Sequence, residues 1–256
     1  MPSRPYSSHS QTSPYTSFSK GGVENTTPST VNADGKPQPR VIDNIIAVSP
    51  TDSNGSTNYA PTPFHQMLGG RVIAYDAVGG QRFDTATASL SGLLSGNPTA
   101  KYVLTELWAG DALYWGQQPG TVQENLDNMI AAFRAFRDQC EAGNTQLIYS
   151  FCCGFGAYFD SWTTGNIRAI WLGWVDWISA NAEAERCFAM DMRFTLGRPT
   201  NIEFLSDGTD GGPNYSHDGL HWNQEGQDAA ARAFQDFISG IESGRLGYGY
   251  YLPSPR

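Results

Sequence analysis

The chain has no apolar run long enough to cross a bilayer, no cluster of lysine and arginine, and no cysteine or histidine pattern at metal-ligand spacing. Each absence removes a class of function. A membrane-spanning helix needs about 20 consecutive apolar residues, so no membrane partner is expected. Acidic side chains number 25 against 16 basic ones, a formal charge of -9, and nothing basic could track a phosphate backbone. Nucleic acid is therefore not an expected partner. The four cysteines, at 140, 152, 153 and 187, have no zinc or haem spacing. They are expected to be free and mostly buried thiols, suited to a reducing cytoplasm, with Cys140 or Cys187 able to pair only if folding brings them close to a partner. With no His/Cys/carboxylate cluster, neither a metal nor another cofactor is expected. Met1 to Lys20 lacks the apolar centre of a signal peptide, so the sequence does not declare itself secreted.

What is present is enough for one sizeable domain, at 256 residues. Residues 1–40 are rich in Ser, Thr, Pro, Gly and Asn with hardly an aliphatic side chain, too little to offset ordering entropy by burial. They read as a flexible or partner-ordered arm through which a protein assembly could form. Residues 41–243 read as the domain, and 244–256, rich in Gly, Tyr and Pro, as a tail. Aromatic residues make up 12% of the chain, including seven Trp and twelve Tyr. That exceeds the needs of a small core and leaves rings for stacking on a sugar or a protein.

Within the domain, strand and helix alternate. Val41–Val48, Arg71–Tyr75, Tyr102–Leu107, Gln146–Cys153 and Arg186–Met190 are short apolar runs that predict five strands. Thr121-Val122-Gln123-Glu124 is a capping-box pattern that predicts a helix running to Gly143. Ile167, Ile170, Trp171, Trp174 and Ile178 recur at helical spacing, as do Ala229, Ala230, Ala233, Phe234, Phe237, Ile238 and Ile241 behind an N-cap at Asn223. The fold class expected is α/β, three layers with a mostly parallel five-stranded sheet, flavodoxin-like. Such sheets gather their sites at the carboxyl ends of the strands.

The most informative segment runs from Ser216 to Gly226, where Asp218 stands three residues before His221 at a helix entrance. A carboxylate so placed can hold an imidazole in one tautomer and stabilise the imidazolium that forms when it takes a proton. Turn and cap roles would account for the same residues locally. If the histidine is a general base, a hydroxyl nucleophile must come from elsewhere.

Three further blocks follow the first three strands: Ser49-Pro50-Thr51-Asp52-Ser53-Asn54-Gly55, Ala77-Val78-Gly79-Gly80-Gln81 and Leu107-Trp108-Ala109-Gly110-Asp111. With Asp218 and His221, their order resembles the SGNH (GDSL-type) hydrolase family over about residues 41–241. The resemblance implies His221 as general base, Asp218 as its orienting carboxylate and Gly80 as an oxyanion donor. Thr51-Asp52-Ser53 resembles Gly-Asp-Ser with Thr in place of Gly, which makes Ser53 the nucleophile. Counting from the strand, Ser49-Pro50-Thr51 fills the motif and Thr51 is the alternative. The third block departs from the family's Gly-x-Asn-Asp, since Gly110 stands where the family has the Asn whose side chain donates to the oxyanion. Loss of such a donor costs about a hundred- to a thousandfold in turnover, leaving the oxyanion to backbone at Ser53, Gly80 and the Gly110 position. Asn54, Asn58 and Gln81 are the candidate substitutes.

The function implied is a serine esterase that removes acetyl or other acyl groups from a carbohydrate or small ester through an acyl-enzyme. Trp108, Asp111, Tyr114 and Trp115 are the expected substrate-binding residues, with Phe155, Tyr158, Phe159 and Trp162 adding rings to a sugar-stacking cleft. The alternative is a catalytically impaired structural or receptor-binding module on the same fold, virion-associated on a virus or phage particle rather than cytoplasmic.

Overall fold

The computed structural model describes residues 47–51, 53–68, 71–152 and 166–253, with the backbone alone for Ala47, Val48 and Ser53, and the backbone of Thr16 and Ser17. Its strands are β1 (Thr16–Ser17), β2 (Ala47–Thr51), β3 (Val72–Ala77), β4 (Tyr102–Thr105), β5 (Gln146–Phe151), β6 (Cys187–Asp191), β7 (Gly197–Arg198), β8 (Asn201–Leu205) and β9 (Gly249–Leu252). The helices are α1 (Phe83–Gly96), α2 (Ala109–Gln117), α3 (Val122–Ala142), α4 (Ile167–Asn181), α5 (Arg193–Leu196) and α6 (Gln224–Glu242). The main sheet runs β1-β9-β6-β5-β4-β2-β3, with every neighbouring pair parallel. β7 and β8 form a separate antiparallel pair. The order reverses at β2, flanked by β3 and β4, and that is the switch point at which α/β sheets open a crevice.

Four of the five strands expected are present; the first, Val41–Val48, meets β2 only at Ala47 and Val48, the rest of it lying outside the described residues, and the sheet has seven strands. The correction is clearest at β9, in the stretch read as a tail. There Tyr250 and Tyr251 are both buried, and as adjacent strand residues they point to opposite faces. Tyr250 approaches Phe151 of β5, while Tyr251 packs against Phe237 of α6. The Tyr250 hydroxyl also donates to Asp191 at the end of β6, whose other partner is Arg193, with Nη2 to Oδ2 at 2.7 Å. Burial, then the neighbouring carboxylate, pushes the Tyr250 phenol well above its usual range. Without β9, the backbone of β6 would be an open edge.

Helices lie on both faces. α1, α3 and α4 adjoin one another, and α6 adjoins α5 and a 3-10 turn at Phe64–Met67. The rings of Phe83, Phe133, Tyr149 and Trp174 meet at centroid distances of 5.2 to 6.0 Å, and Trp174 Nε1 donates to the Tyr149 hydroxyl at 3.0 Å. Much of the aromatic surplus is thus core. The α3 capping box forms as the sequence predicts, with Thr121 accepting from Glu124 N, and Asn223 caps α6 by accepting from Gly226 N. α1 and α2 were not expected. α1 is rich in Ser, Thr and Gly, which favour helices poorly, and it forms because Phe83, Ala86, Leu90 and Leu94 are buried along one side. Cys140 and Cys187 are free and buried, Cys152 is buried, and Cys153 lies outside the described residues. Among the described residues, no helix is long and apolar enough to cross a membrane.

His65, in the 3-10 turn, is 2% exposed, and neither ring nitrogen has a hydrogen-bond partner among the described residues. Burial lowers its pKa from 6.5 to about 4. The unfolded chain therefore takes up a proton below pH 6.5 that the folded chain refuses until about pH 4. Stability is full above that window and falls through it. At 1.36 kcal/mol per unit, this residue is expected to remove about 3 kcal/mol between pH 7 and pH 4. Urea unfolding of the parent and His65→Leu at both values checks it, since the variant should lose less.

Candidate active site

The first half of the site is the turn after β2. Thr51 ends the strand in register with Ala77, and its carbonyl accepts from Val78 N at 3.2 Å. The chain then folds back in a 3-10 turn, Ser53–Gly55. A Cβ at Gly55 would lie 1.8 Å from Thr51 Oγ1, so only glycine lets the turn close over that side chain. Thr51 is fully buried as a result. A hydroxyl sealed beneath its own turn is poorly placed to meet a substrate, and this favours Ser53 as nucleophile.

The second half is the loop between β8 and α6. An antiparallel bridge joins Ser216 to Trp222, His217 N donates to His221 O at 2.8 Å, and Gly219 takes a φ of +92° that suits glycine. The tight loop turns Asp218 inward on its own neighbours. Asp218 Oδ1 accepts from the backbone N–H of His221 at 2.9 Å and of Leu220 at 3.1 Å, and Oδ2 lies 2.7 Å from His221 Nδ1. Partial burial works to raise the carboxyl, but hydrogen bonds from the His221 backbone, the His221 ring and the Leu220 backbone together hold it below its ordinary range. An ionised carboxylate there assigns the proton to Nδ1 and leaves Nε2 as the basic nitrogen.

One side chain joins the halves. Asn54 Oδ1 accepts from Trp222 N at 2.9 Å, so the residue after Ser53 is bonded to the residue after His221. Asn54 O accepts from Gln227 Nε2 at 2.7 Å, and Gln227 Oε1 accepts from Phe64 N at 2.8 Å. Gln224 repeats the pattern, accepting from Thr62 N at 3.0 Å and donating to Thr62 O at 3.1 Å. α6 thus clasps the chain that follows β2. Of the Asn54 side chain, the carbonyl oxygen serves as this clamp, so only its Nδ2 could act as the oxyanion donor for which Asn54 is a candidate. The role of Gln227 went unread, although a glutamine beside Ala230 and Phe234 on the buried side of a helix was its signal.

The oxyanion candidates gather at the switch point. Gly80 has φ +71° in a turn closed by Gln81 N to Val78 O at 3.0 Å. A Cβ on Gly110 would lie 2.7 Å from Gln81 O and 3.0 Å from Gly80 O. The turn after β3 and the first turn of α2 are therefore in direct contact, and glycine at 110 is what permits it. Backbone N–H groups in the first turn of a helix have no intrahelical acceptor, and α2 has no side-chain cap of its own. Placing the family's asparagine here, as Gly110→Asn, is expected to push these backbones apart and cost about 1–3 kcal/mol. A lowered urea midpoint would show it; an unchanged one would contradict the packing. Of the other candidate donors, Gln81 Nε2 bonds to Ser89 Oγ at 3.3 Å, and Asn58 is exposed.

Two expected substrate contacts are corrected. Trp108 is 1% exposed and lies 5.3 Å from the Trp171 ring, inside the core. Asp111 is fully buried and accepts from Phe83 N at 3.1 and 3.3 Å, holding the start of α1. Tyr114 and Trp115 are half-buried, with the Arg82 guanidinium 3.9 Å above the Tyr114 ring. Phe155, Tyr158, Phe159 and Trp162 lie outside the described residues. Among the described residues, no group of three or more His, Cys, Asp and Glu side chains could hold a metal ion.

Solved structures with this architecture include the psychrotrophic esterase EstA from Pseudoalteromonas sp., inhibited by monoethylphosphonate, at a TM-score of 0.52 and 18% identity over 78% of this chain and 98% of that one. A GDSL-like lipase from Bacteroides thetaiotaomicron matches at 0.52 and 12% identity over 80% and 91%. The fold is that of the SGNH hydrolases. An acetyl xylan esterase, AlAXEase, has it as well, at 0.54 and 13% identity over 77% of this chain and all of that one. No family model and no curated protein sequence matches the chain. Residues 206–222, which carry Asp218 and His221, connect the β7–β8 pair to α6.

Proposed function

We propose that the chain is a serine ester hydrolase of the SGNH type. Ser53 is the nucleophile, His221 its general base and then acid, and Asp218 the carboxylate that orients the ring. The observation that supports this is the 2.9 Å hydrogen bond from Trp222 N to Asn54 Oδ1, which joins the residue after Ser53 to the residue after His221. His221 Nε2 takes the Ser53 proton as Oγ attacks the ester carbonyl, and Asp218 offsets the charge of the imidazolium. Backbone N–H groups of Ser53, Gly80 and Gly110, at the start of α2, stabilise the oxyanion. The alkoxide leaves with the proton from His221. The ring then activates a water, which releases the acid and restores Ser53.

Acylated carbohydrate is the proposed substrate class, supported by the shared fold with an acetyl xylan esterase and by the half-buried rings of Tyr114 and Trp115. A binding module on the same fold is the second reading, and the observation favouring it is Gly110, which offers the oxyanion no side chain.

The test is hydrolysis of p-nitrophenyl acetate and of an acetylated xylo-oligosaccharide by the parent, Ser53→Ala and Thr51→Val, with an alkylphosphonate ester as label. Turnover and a covalent adduct on Ser53, both lost in Ser53→Ala, are expected. Equal background in all three proteins would overturn the hydrolase reading. Loss in Thr51→Val alone would move the nucleophile to Thr51.

A further inference from the structure

We infer that Tyr59 is a positioning residue for His221, stacked on the imidazole so as to fix its plane and to stabilise the imidazolium that forms when Ser53 gives up its proton. The inference rests on the function proposed above. The two rings lie 3.5 Å apart between centroids and 3° from parallel. Other ring pairs among the described residues lie at 4.2 Å or more, and the flattest of them, Phe64 on Phe234, is tilted by 12°. Tyr59 also meets His217 edge-on at 5.8 Å, so it sits against both histidines of the Ser216–Trp222 loop.

This contact does something the hydrogen bonds of the site do not. Asp218 meets His221 at the edge of the ring, at Nδ1, and an edge contact resists tilting of the ring less than a contact on its face does. A flat partner on one face removes the tilt and keeps Nε2 directed to one place. The same face acts on charge, because an aromatic ring attracts a cation lying over it through its quadrupole. Neutral imidazole gains little from that attraction and imidazolium gains more. The contact therefore strengthens on the way to the transition state, and an interaction of that kind raises kcat with little change in KM. Nothing else explains the ring's position. Tyr59 is half-buried in a surface turn, and its hydroxyl has no hydrogen-bond partner among the described residues. The ring is what is used, so the hydroxyl should be dispensable.

Two variants and one spectrum decide it. Tyr59→Phe is expected to keep kcat for p-nitrophenyl acetate within about twofold of the parent, whereas Tyr59→Leu should lose about 3- to 30-fold in kcat, the range of cation–ring attractions, with KM little changed. In proton NMR, with His221→Gln identifying the signals, the His221 ring protons should be displaced upfield in the parent and in Tyr59→Phe, and should return to ordinary positions in Tyr59→Leu. An active parent whose Tyr59→Leu variant matches it in kcat would overturn this inference and leave the proposed function standing. A parent with no ester turnover would overturn both. His221 protons at ordinary positions in the parent would overturn the stack itself, without any variant having to fold.

Discussion

Replacing His221 with alanine is expected to lower kcat/KM for a short-chain ester by about 10⁴- to 10⁶-fold while costing no more than about 1 kcal/mol of stability. The rate falls because an un-ionised serine is a weak nucleophile, and among the described residues no other basic side chain is bonded into the turn that carries Ser53. Stability is spared because backbone bonds hold the loop: the His221 N–H keeps its bond to Asp218 Oδ1, and His217 N its bond to His221 O, whatever side chain is present. Steady-state hydrolysis alongside urea unfolding separates the two effects. A variant within tenfold of the parent in rate would remove His221 from the mechanism, and one that unfolds would show the loop to be structural.

Asn54→Ala is expected to have the next largest effect, about a hundredfold in kcat with about 1–3 kcal/mol lost from stability. The stability loss arises because Trp222 N–H is buried and would be left without its acceptor. The rate loss arises because Asn54 is the link between two loops that are otherwise separate in the chain, and a displacement of one ångström in a reacting pair can cost two powers of ten. Asn54 O would still accept from Gln227, so the turn should keep its place against α6 while its register with the histidine loop slackens. Measured together, a stability loss without a rate loss would show that the clamp does not position Ser53.

The extent to which each feature was legible follows from how local its cause is. The capping box at Thr121, the Asn223 cap and the apolar stripe of α6 depend on residues within a few positions of one another, and all three stand as expected. α1 was missed because its composition opposes a helix, and it is held by burial of Phe83 and by Asp111, 28 residues away. β9 was missed because a Gly- and Tyr-rich segment becomes a strand only where a partner edge is waiting for it. Trp108 and Asp111 look like ligands in a list of side chains. Trp108, just ahead of α2, is core beside Trp171, and Asp111, on the buried side of α2, is a helix anchor.

The same distinction runs through the site. Asp218 and His221 are three positions apart, so the spacing alone is enough for a carboxylate to reach an imidazole around a glycine turn, and the chemistry of a general base could be read from that segment. Which hydroxyl it serves could not be read. That choice depends on Gly55 closing over Thr51, on Asn54 reaching Trp222 across 168 positions, and on Tyr59 lying flat against the ring. No periodicity or spacing encodes such contacts, because they exist only once the parallel sheet has brought the end of β2 and the start of α6 to the same rim.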